Sequence, residues 1–298
     1  MRIATFNLQN LRLRQRDGRR VLEGAVDQDV PGAAPTTARD IADRRRTAEV
    51  IRDAQADIVA LQEVFDAASL DFFHDRFLTE VGAPAYPHRY CLPGNDGRGL
   101  NVAALSRRRP VSVTSHAALT GAELGLTDLP PDLRDRRLFR RDCLALDFAA
   151  FAIFICHFKA PYPDEAKAHA VREAEARGVR RIVETHFAAP ETARWIVLGD
   201  FNEPAGAGGA APSALAPLTE GFAVDLLDRL TPGEDWTYEV FDTHRHSRPD
   251  RLLISPRLAR DFPRVRPKII RSGMTRAAAG MHPHASDHAL VYADFPGL

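Results

Sequence analysis

Apolar residues come in short blocks cut apart by polar, Gly- and Pro-containing stretches, with few runs at helical spacing. Blocks at 2–8, 57–63, 86–91, 100–106, 111–119, 143–148, 151–157, 195–199, 250–254, 267–270 and 289–295 are rich in Val, Ile, Phe and Leu and read as strands. Two segments read as helices. Residues 41–55 carry Ile41, Ala48, Val50, Ile51 and Ala54 at roughly helical spacing. Residues 164–187 open with acids after Pro163 and carry Ala170, Val171, Ala174, Val179, Ile182 and Val183. Residues 67–80 make a weaker helical pattern. The polar stretch 12–38 and the segment "AGAGGAAPSALAP" read as surface loops. No internal repeat and no linker divides the chain, so this alternation predicts one α/β domain over residues 1–298 with mixed sheets.

The polar residues that interrupt this pattern sit at block ends. "RIATFNLQN" closes on Asn7, "ADIVALQEV" on Glu63, "FAIFICHFKAP" on His157 and Lys159, and "WIVLGDFNEP" on Asp200 and Asn202. "HSRPDRLLIS" opens its block with Asp250, and "HASDHALVY" places Asp287 and His288 just before an apolar run. One such residue is an ordinary cap or turn. Several on separate strands can meet on one rim, which is where loops and strand ends build sites.

One contact follows from the register alone. Blocks 143–148 and 151–157 are separated by Ala149-Ala150. If those two residues make the turn, Phe148 faces Phe151, Leu146 faces Ile153 and Leu144 faces Ile155, which gathers one apolar face. Asp142 then faces His157. A carboxylate beside an imidazole fixes its tautomer and favours its protonated form, as a general acid requires.

Charge narrows the functional classes. Lys+Arg and Asp+Glu are both 40, so the basic excess that grips duplex nucleic acid over many phosphates is missing. Basic residues cluster only locally, in "LRLRQRDGRR", "ADRRR" and "LRDRRLFRR". No apolar run approaches the roughly 20 residues of a membrane-spanning helix. The strand-like "RIATFNL" directly after Met1 leaves no room for a signal peptide. Cys91, Cys143 and Cys156 cannot all pair and read as buried free thiols, so the expected location is cytoplasmic.

The ordered series "FNLQN … LQEV … CHFKAP … GDFNEP … RPDRLLIS … SDH" resembles the endonuclease/exonuclease/phosphatase superfamily, to which deoxyribonuclease I, abasic-site endonucleases and neutral sphingomyelinases belong. The resemblance implies a four-layered α/β sandwich, two mixed β-sheets packed face to face with outer helices. It implies that Glu63 binds a catalytic Mg2+ or Mn2+, with Asn7 nearby and Asp287 at the metal. Asp200 and Asn202 would position the attacking water and scissile phosphate. His288 would face the phosphate, oriented by Asp250, and His157 would serve the leaving-group side with Asp142 as its partner. Gln9 stands where abasic-site endonucleases carry an acid, and His157 where they carry a tyrosine. Both differences place the chain nearer the deoxyribonuclease I and sphingomyelinase branches.

The implied activity is metal-dependent phosphodiester hydrolysis, on nucleic acid or on a small phosphodiester or phospholipid headgroup. Arg141, Lys159 and Arg98 are candidates to hold phosphate oxygens, and the Gly-rich "GNDGRGLN" around Arg98 reads as a loop at the site rim. Two other readings stand beside this one. One is a catalytically silent member that binds phosphorylated ligands. The other is a transition-metal site built from His244, His246, His282, His284 and His288. No obligate protein partner is evident.

Overall fold

The computed structural model describes residues 1–25, 36–203, 213–240, 243–275 and 283–298. Two six-stranded sheets carry the fold. The first runs, edge to edge, Lys268–Ile270, Leu290–Asp294, Arg2–Leu11, Ile58–Val64, Asn101–Ser106 and His88–Cys91. The second runs Val224–Asp225, Asp250–Ile254, Trp195–Asp200, Phe151–His157, Cys143–Phe148 and Ser112–Thr114. Each is mixed, with one central parallel pair: Arg2–Leu11 with Ile58–Val64, and Trp195–Asp200 with Phe151–His157.

Alternation of side chains across each strand divides the core into three slabs. Ile3, Ile58, Leu144, Leu146, Ile153, Ile155, Leu198 and Leu252 pack between the sheets. Phe6, Leu8, Val59 and Leu61 turn outward under Ala48, Val50 and Ile51 of helix Thr37–Ala54. Phe154, Trp195 and Val197 turn outward under Ala174, Val179 and Val183 of helix Glu165–His186. Helix, sheet, sheet and helix make the four layers expected from the sequence. Both helices begin on a side chain that accepts from a first-turn amide, Thr36 from Arg39 and Asp164 from Lys167.

Departures from the expected elements have local causes. The 111–119 block is a strand only over Ser112–Thr114, because the backbone then leaves the ladder and His116 donates its amide to Asp142. Within 12–38, Leu13–Arg16 and Arg19–Leu22 form a hairpin about Asp17-Gly18, both at positive φ, a turn that Asp-Gly favours. Residues 26–35 lie outside the described residues, as does most of "AGAGGAAPSALAP", from which a short helix Ala216–Thr219 follows. The 67–80 pattern gives helix Ala67–Phe73 continued by a π turn, His74–Leu78. A ribbon of Tyr238–Val240 and Arg245–Ser247 was not signalled by the apolar pattern. Cys91, Cys143 and Cys156 are free and buried.

Strand direction assembles the site. The parallel strands of both sheets end at one rim, and the antiparallel strands Asp250–Ile254 and Leu290–Asp294 begin there. Two strands of the first sheet slip register at this point, between Asn7 and Leu11 and between Leu61 and Val64, and Glu63 takes φ 61°. Such bulges re-aim side chains out of the ladder. In the second sheet Gly199 has φ 143°, and a Cβ there would lie 1.9 Å from the Cys156 carbonyl oxygen. Only glycine lets the Asp200 strand bend so closely past its neighbour.

Candidate active site

Eight of the proposed catalytic, metal and phosphate-binding residues line one cavity of about 400 Å3: Glu63, Arg98, Arg141, His157, Asp200, Asn202, Asp287 and His288. Asn7 joins the two sheets at its floor, donating from Nδ2 to Asp200 Oδ2 at 3.0 Å while its own oxygen accepts from the Gln9 amide. Asn7 also bonds to Glu63. Its side chain therefore bridges two carboxylates, Asp200 and Glu63. Asp200 Oδ1 accepts from the Asn202 amide at 2.9 Å, and Asn202 donates from Nδ2 to the Phe158 carbonyl at 3.1 Å.

The Asp250–His288 contact expected from the sequence is present. His288 Nδ1 lies 2.8 Å from Asp250 Oδ2, and its Nε2 lies 3.7 Å from Asp200 Oδ2. Burial opposes charge on this ring, but Asp250, Asp200 and Asp287 outweigh it and hold the imidazole protonated well above its usual range. Asp200 is pushed up to about 6, first by burial, with His288 and Asp250 acting in opposite directions. Glu63 is also raised, by burial and by the charge of Asp287.

The hairpin register holds through every pair from Phe148 and Phe151 to Cys143 and Cys156. The Asp142–His157 partnership does not form. Asp142 turns to the chain just past strand Ser112–Thr114, where the His116 amide donates to Oδ1 at 2.8 Å and Ser115 also bonds. His157 keeps a buried Nδ1 without a protein partner, and its Nε2 lies 3.4 Å from Asp200 Oδ2. Burial, then the charges of Arg141, His288 and Arg98, push its pKa well below the imidazole range, so this ring is neutral. Asp142 Oδ2 is likewise buried without a partner among the described residues, so the ladder ends at Cys143 and Cys156 with no bond between the next two residues.

The basic candidates occupy a shared border. Arg141 is buried, donates to the Phe158 carbonyl at 2.9 Å and pairs with Asp96 at 2.9 Å. Arg98 donates to the same Asp96 Oδ2 at 3.2 Å, so "GNDGRGLN" forms part of the cavity wall. Lys159 lies in an adjoining depression, outside the catalytic cavity. The histidine-rich alternative is not assembled among the described residues. His246 stacks on Trp236 with ring centroids 4.0 Å apart, His244 lies 3.1 Å from Glu239, and His284 donates its amide to Asp43. His282 lies outside the described residues. The compact donor cluster among the described residues is Asp200, Asp250 and His288, with one ligand atom from each mutually within 4.8 Å.

Sequence reasoning missed three supports. Thr237 Oγ1 donates to Asp250 Oδ2 at 2.6 Å, and its carbonyl accepts from the Ala289 amide, so it sets the acid against the His288 strand. Ser286 Oγ donates to the Asn7 carbonyl at 2.7 Å. Arg44, wholly buried on helix Thr37–Ala54, donates to the carbonyls of Leu8, Gln9, Asn10, Glu23 and Gly24. It thereby holds the Gln9-Asn10 turn, both residues at positive φ, whose Asn10 amide binds Glu63 Oε2 at 3.0 Å. Arg44 stood among "DRRR" in the sequence and looked like part of a solvated run, but it precedes Ala48 by four and Ile51 by seven, on the buried stripe of its helix.

Two mixed sheets sharing a rim of carboxylates, amides and histidines define the phosphoester-hydrolase type of α/β sandwich. The chain belongs to the endonuclease/exonuclease/phosphatase family, whose model matches residues 4–288. Its fold is similar to an AP endonuclease from Archaeoglobus fulgidus, at 15% identity and TM-score 0.63 over 99% of both chains. It is also similar to truncated Caenorhabditis elegans TDP2, at 15% identity and TM-score 0.58, covering 98% of this chain and 95% of that one. A 3'-5' exonuclease from Neisseria meningitidis gives 17% identity and TM-score 0.58 over 99% of both chains. No match was found among curated proteins. Members of the family are phosphoester hydrolases, and its nucleases generally use divalent metals. Among the described residues no helix is long and apolar enough to cross a membrane.

Proposed function

We propose that the protein is a metal-dependent phosphodiester hydrolase acting on nucleic acid, with the motifs from Asn7 to His288 working as one domain. The observation that carries this reading is the geometry of the cavity: His288 lies 2.8 Å from Asp250 through Nδ1 and 3.7 Å from Asp200 through Nε2, beside the carboxylates Glu63 and Asp287. The donor set suits a hard cation, because Glu63 and Asp287 offer carboxylate oxygens and the charge of Asp287 raises the proton affinity of Glu63. Mg2+ or Mn2+ held by these two residues would neutralise charge on the phosphate and on the departing oxygen.

The chain's own groups supply the rest. Asp200, ionised just below neutral pH, accepts the proton of a water that Asn202 helps to position. The His288 imidazolium, fixed by Asp250, donates to a phosphoryl oxygen, and neutral His157 donates a second hydrogen bond without a full charge. Arg141 stands behind them as a fixed positive charge. A small phosphodiester is the second reading, favoured by the zero net charge and the 400 Å3 volume. The free thiols support the cytoplasmic location expected from the sequence.

Hydrolysis of bis(4-nitrophenyl) phosphate and of a labelled oligonucleotide, with Mg2+ or Mn2+ and with chelator, tests the reading. Metal-dependent turnover that Asp200→Asn and His288→Ala each abolish is the expected result. Hydrolysis that survives both substitutions would refute it.

A further inference from the structure

A depression of about 680 Å3 opens beside the catalytic cavity and shares Arg98, Arg141, Ala160 and Tyr162 with it. Its walls carry four cations, Arg98, Arg140, Arg141 and Lys159, and one acid, Asp96. Asp96 is committed to Arg98 and Arg141, at 3.2 and 2.9 Å. Arg140 and Lys159 are left outside any ion pair among the described residues. Arg140 is exposed. The Lys159 ammonium donates to the carbonyls of Ala160 and Tyr162, which uses two of its three N–H groups.

The position of these cations is built, not incidental. Buried Glu175 on helix Glu165–His186 accepts from the backbone amides of both Arg140 and Lys159, at 2.8 Å each. Arg172 on the same helix donates to the Lys159 carbonyl. On the opposite wall the Asn95 amide donates to the Arg141 carbonyl, and a Cβ at Gly94 would lie 2.7 Å from that oxygen. Burial, then the charges of Arg141 and Arg140, push the Lys159 ammonium down against the opposing charge of Glu175, which marks a net positive field. On the lip between the two cavities stands Tyr162, 72% exposed.

We propose that this depression is a second phosphate subsite, taking the phosphate next to the scissile one on a single nucleic-acid strand. Arg140 and Lys159 are its cations, and Tyr162 is the platform for the intervening base. The proposal rests on the phosphodiesterase reading and selects within it a polynucleotide strand over a lone phosphodiester or headgroup. It also accommodates the zero net charge, because a footprint of two phosphates needs a local basin rather than a basic surface. Stacking on an exposed ring tolerates any base, so the subsite reads strand and not sequence.

The test measures binding without turnover. A fluorescein-labelled octathymidylate is titrated with the full-length protein in EDTA at several KCl concentrations. Arg140→Gln should weaken binding about ten-fold and make the slope of log affinity against log salt shallower by about 0.7. Tyr162→Ala should weaken binding and leave the slope unchanged. Arg260→Gln is the charge control, because its helix follows the end of strand Asp250–Ile254 remote from the rim. No binding by the wild type, an unchanged slope for Arg140→Gln, or an equal change for Arg260→Gln each overturns the subsite. Hydrolysis of bis(4-nitrophenyl) phosphate with Mg2+ is followed in parallel, and its absence would defeat the phosphodiesterase reading whatever the binding result.

Discussion

His288 Nδ1 and Asp250 Oδ2 are 2.8 Å apart although 38 positions separate them, and Thr237 holds the same carboxylate oxygen from behind. The pair makes His288 the cation of the cavity. Its raised pKa means that the charged form persists above the usual 6.5 and is lost only as pH rises through that higher value. Asp250→Asn removes the largest attraction holding the proton. The alkaline limb of the pH–rate profile should move toward lower pH, with kcat down about 100-fold or more at pH 8. An unmoved limb would show that His288 does not act as the charged donor.

His157 offers a contrasting test. A neutral ring that donates a hydrogen bond to phosphate helps every substrate alike. His157→Ala should therefore lower kcat/KM for bis(4-nitrophenyl) phosphate and for an oligonucleotide by similar factors, about 100-fold. Asp142→Asn should change neither ratio, because its carboxylate accepts from His116 and not from His157. Loss confined to the oligonucleotide, whose leaving oxygen is the more basic, would restore His157 as a proton donor.

Arg44 should act on metal binding from a distance. Lysine at position 44 cannot reach five carbonyls at once, so the Gln9-Asn10 turn and the Glu63 carboxylate it holds would loosen. Arg44→Lys is expected to raise the Mg2+ concentration for half-activation about 10- to 100-fold, with a smaller effect on kcat at saturating Mg2+. The readout is the activation curve, measured where circular dichroism shows the variant folded. A proportional fall in kcat with no change in metal requirement would assign Arg44 to stability alone.

Glu175 should set a pH dependence of stability. Burial pushes its pKa from 4.5 up to about 7 against the pull of the two amides it binds. A raised acid pKa means the folded state holds the proton longer than the unfolded one. Its contribution is then greatest below 4.5 and falls as pH rises to about 7, by at most about 3 kcal/mol. Glu175→Gln should flatten that slope, so the difference in Tm between variant and wild type should grow in the variant's favour from pH 5 to pH 8. A pH-independent difference would refute the shift.

Much was determined by the sequence itself. The strand blocks, both long helices and the hairpin register follow from side-chain period and turn position, which are local properties of the chain. The order of polar residues at strand ends was equally legible, since a strand must expose whatever follows its last buried position. Tertiary structure decided the rest, because hydrogen bonds and charge are settled by competition between groups far apart in sequence. Asp142 meets the His116 amide rather than His157, and Asn7 bridges Glu63 and Asp200 across the two sheets. Helical spacing put Arg44 on the buried stripe with Ala48 and Ile51, whereas Thr237 carried no periodic signal; only the crossing of helix, sheet and ribbon gave both their partners. The two histidines are alike as letters. One is charged and one neutral because Asp250 reached His288, whereas Arg141 and burial surround His157.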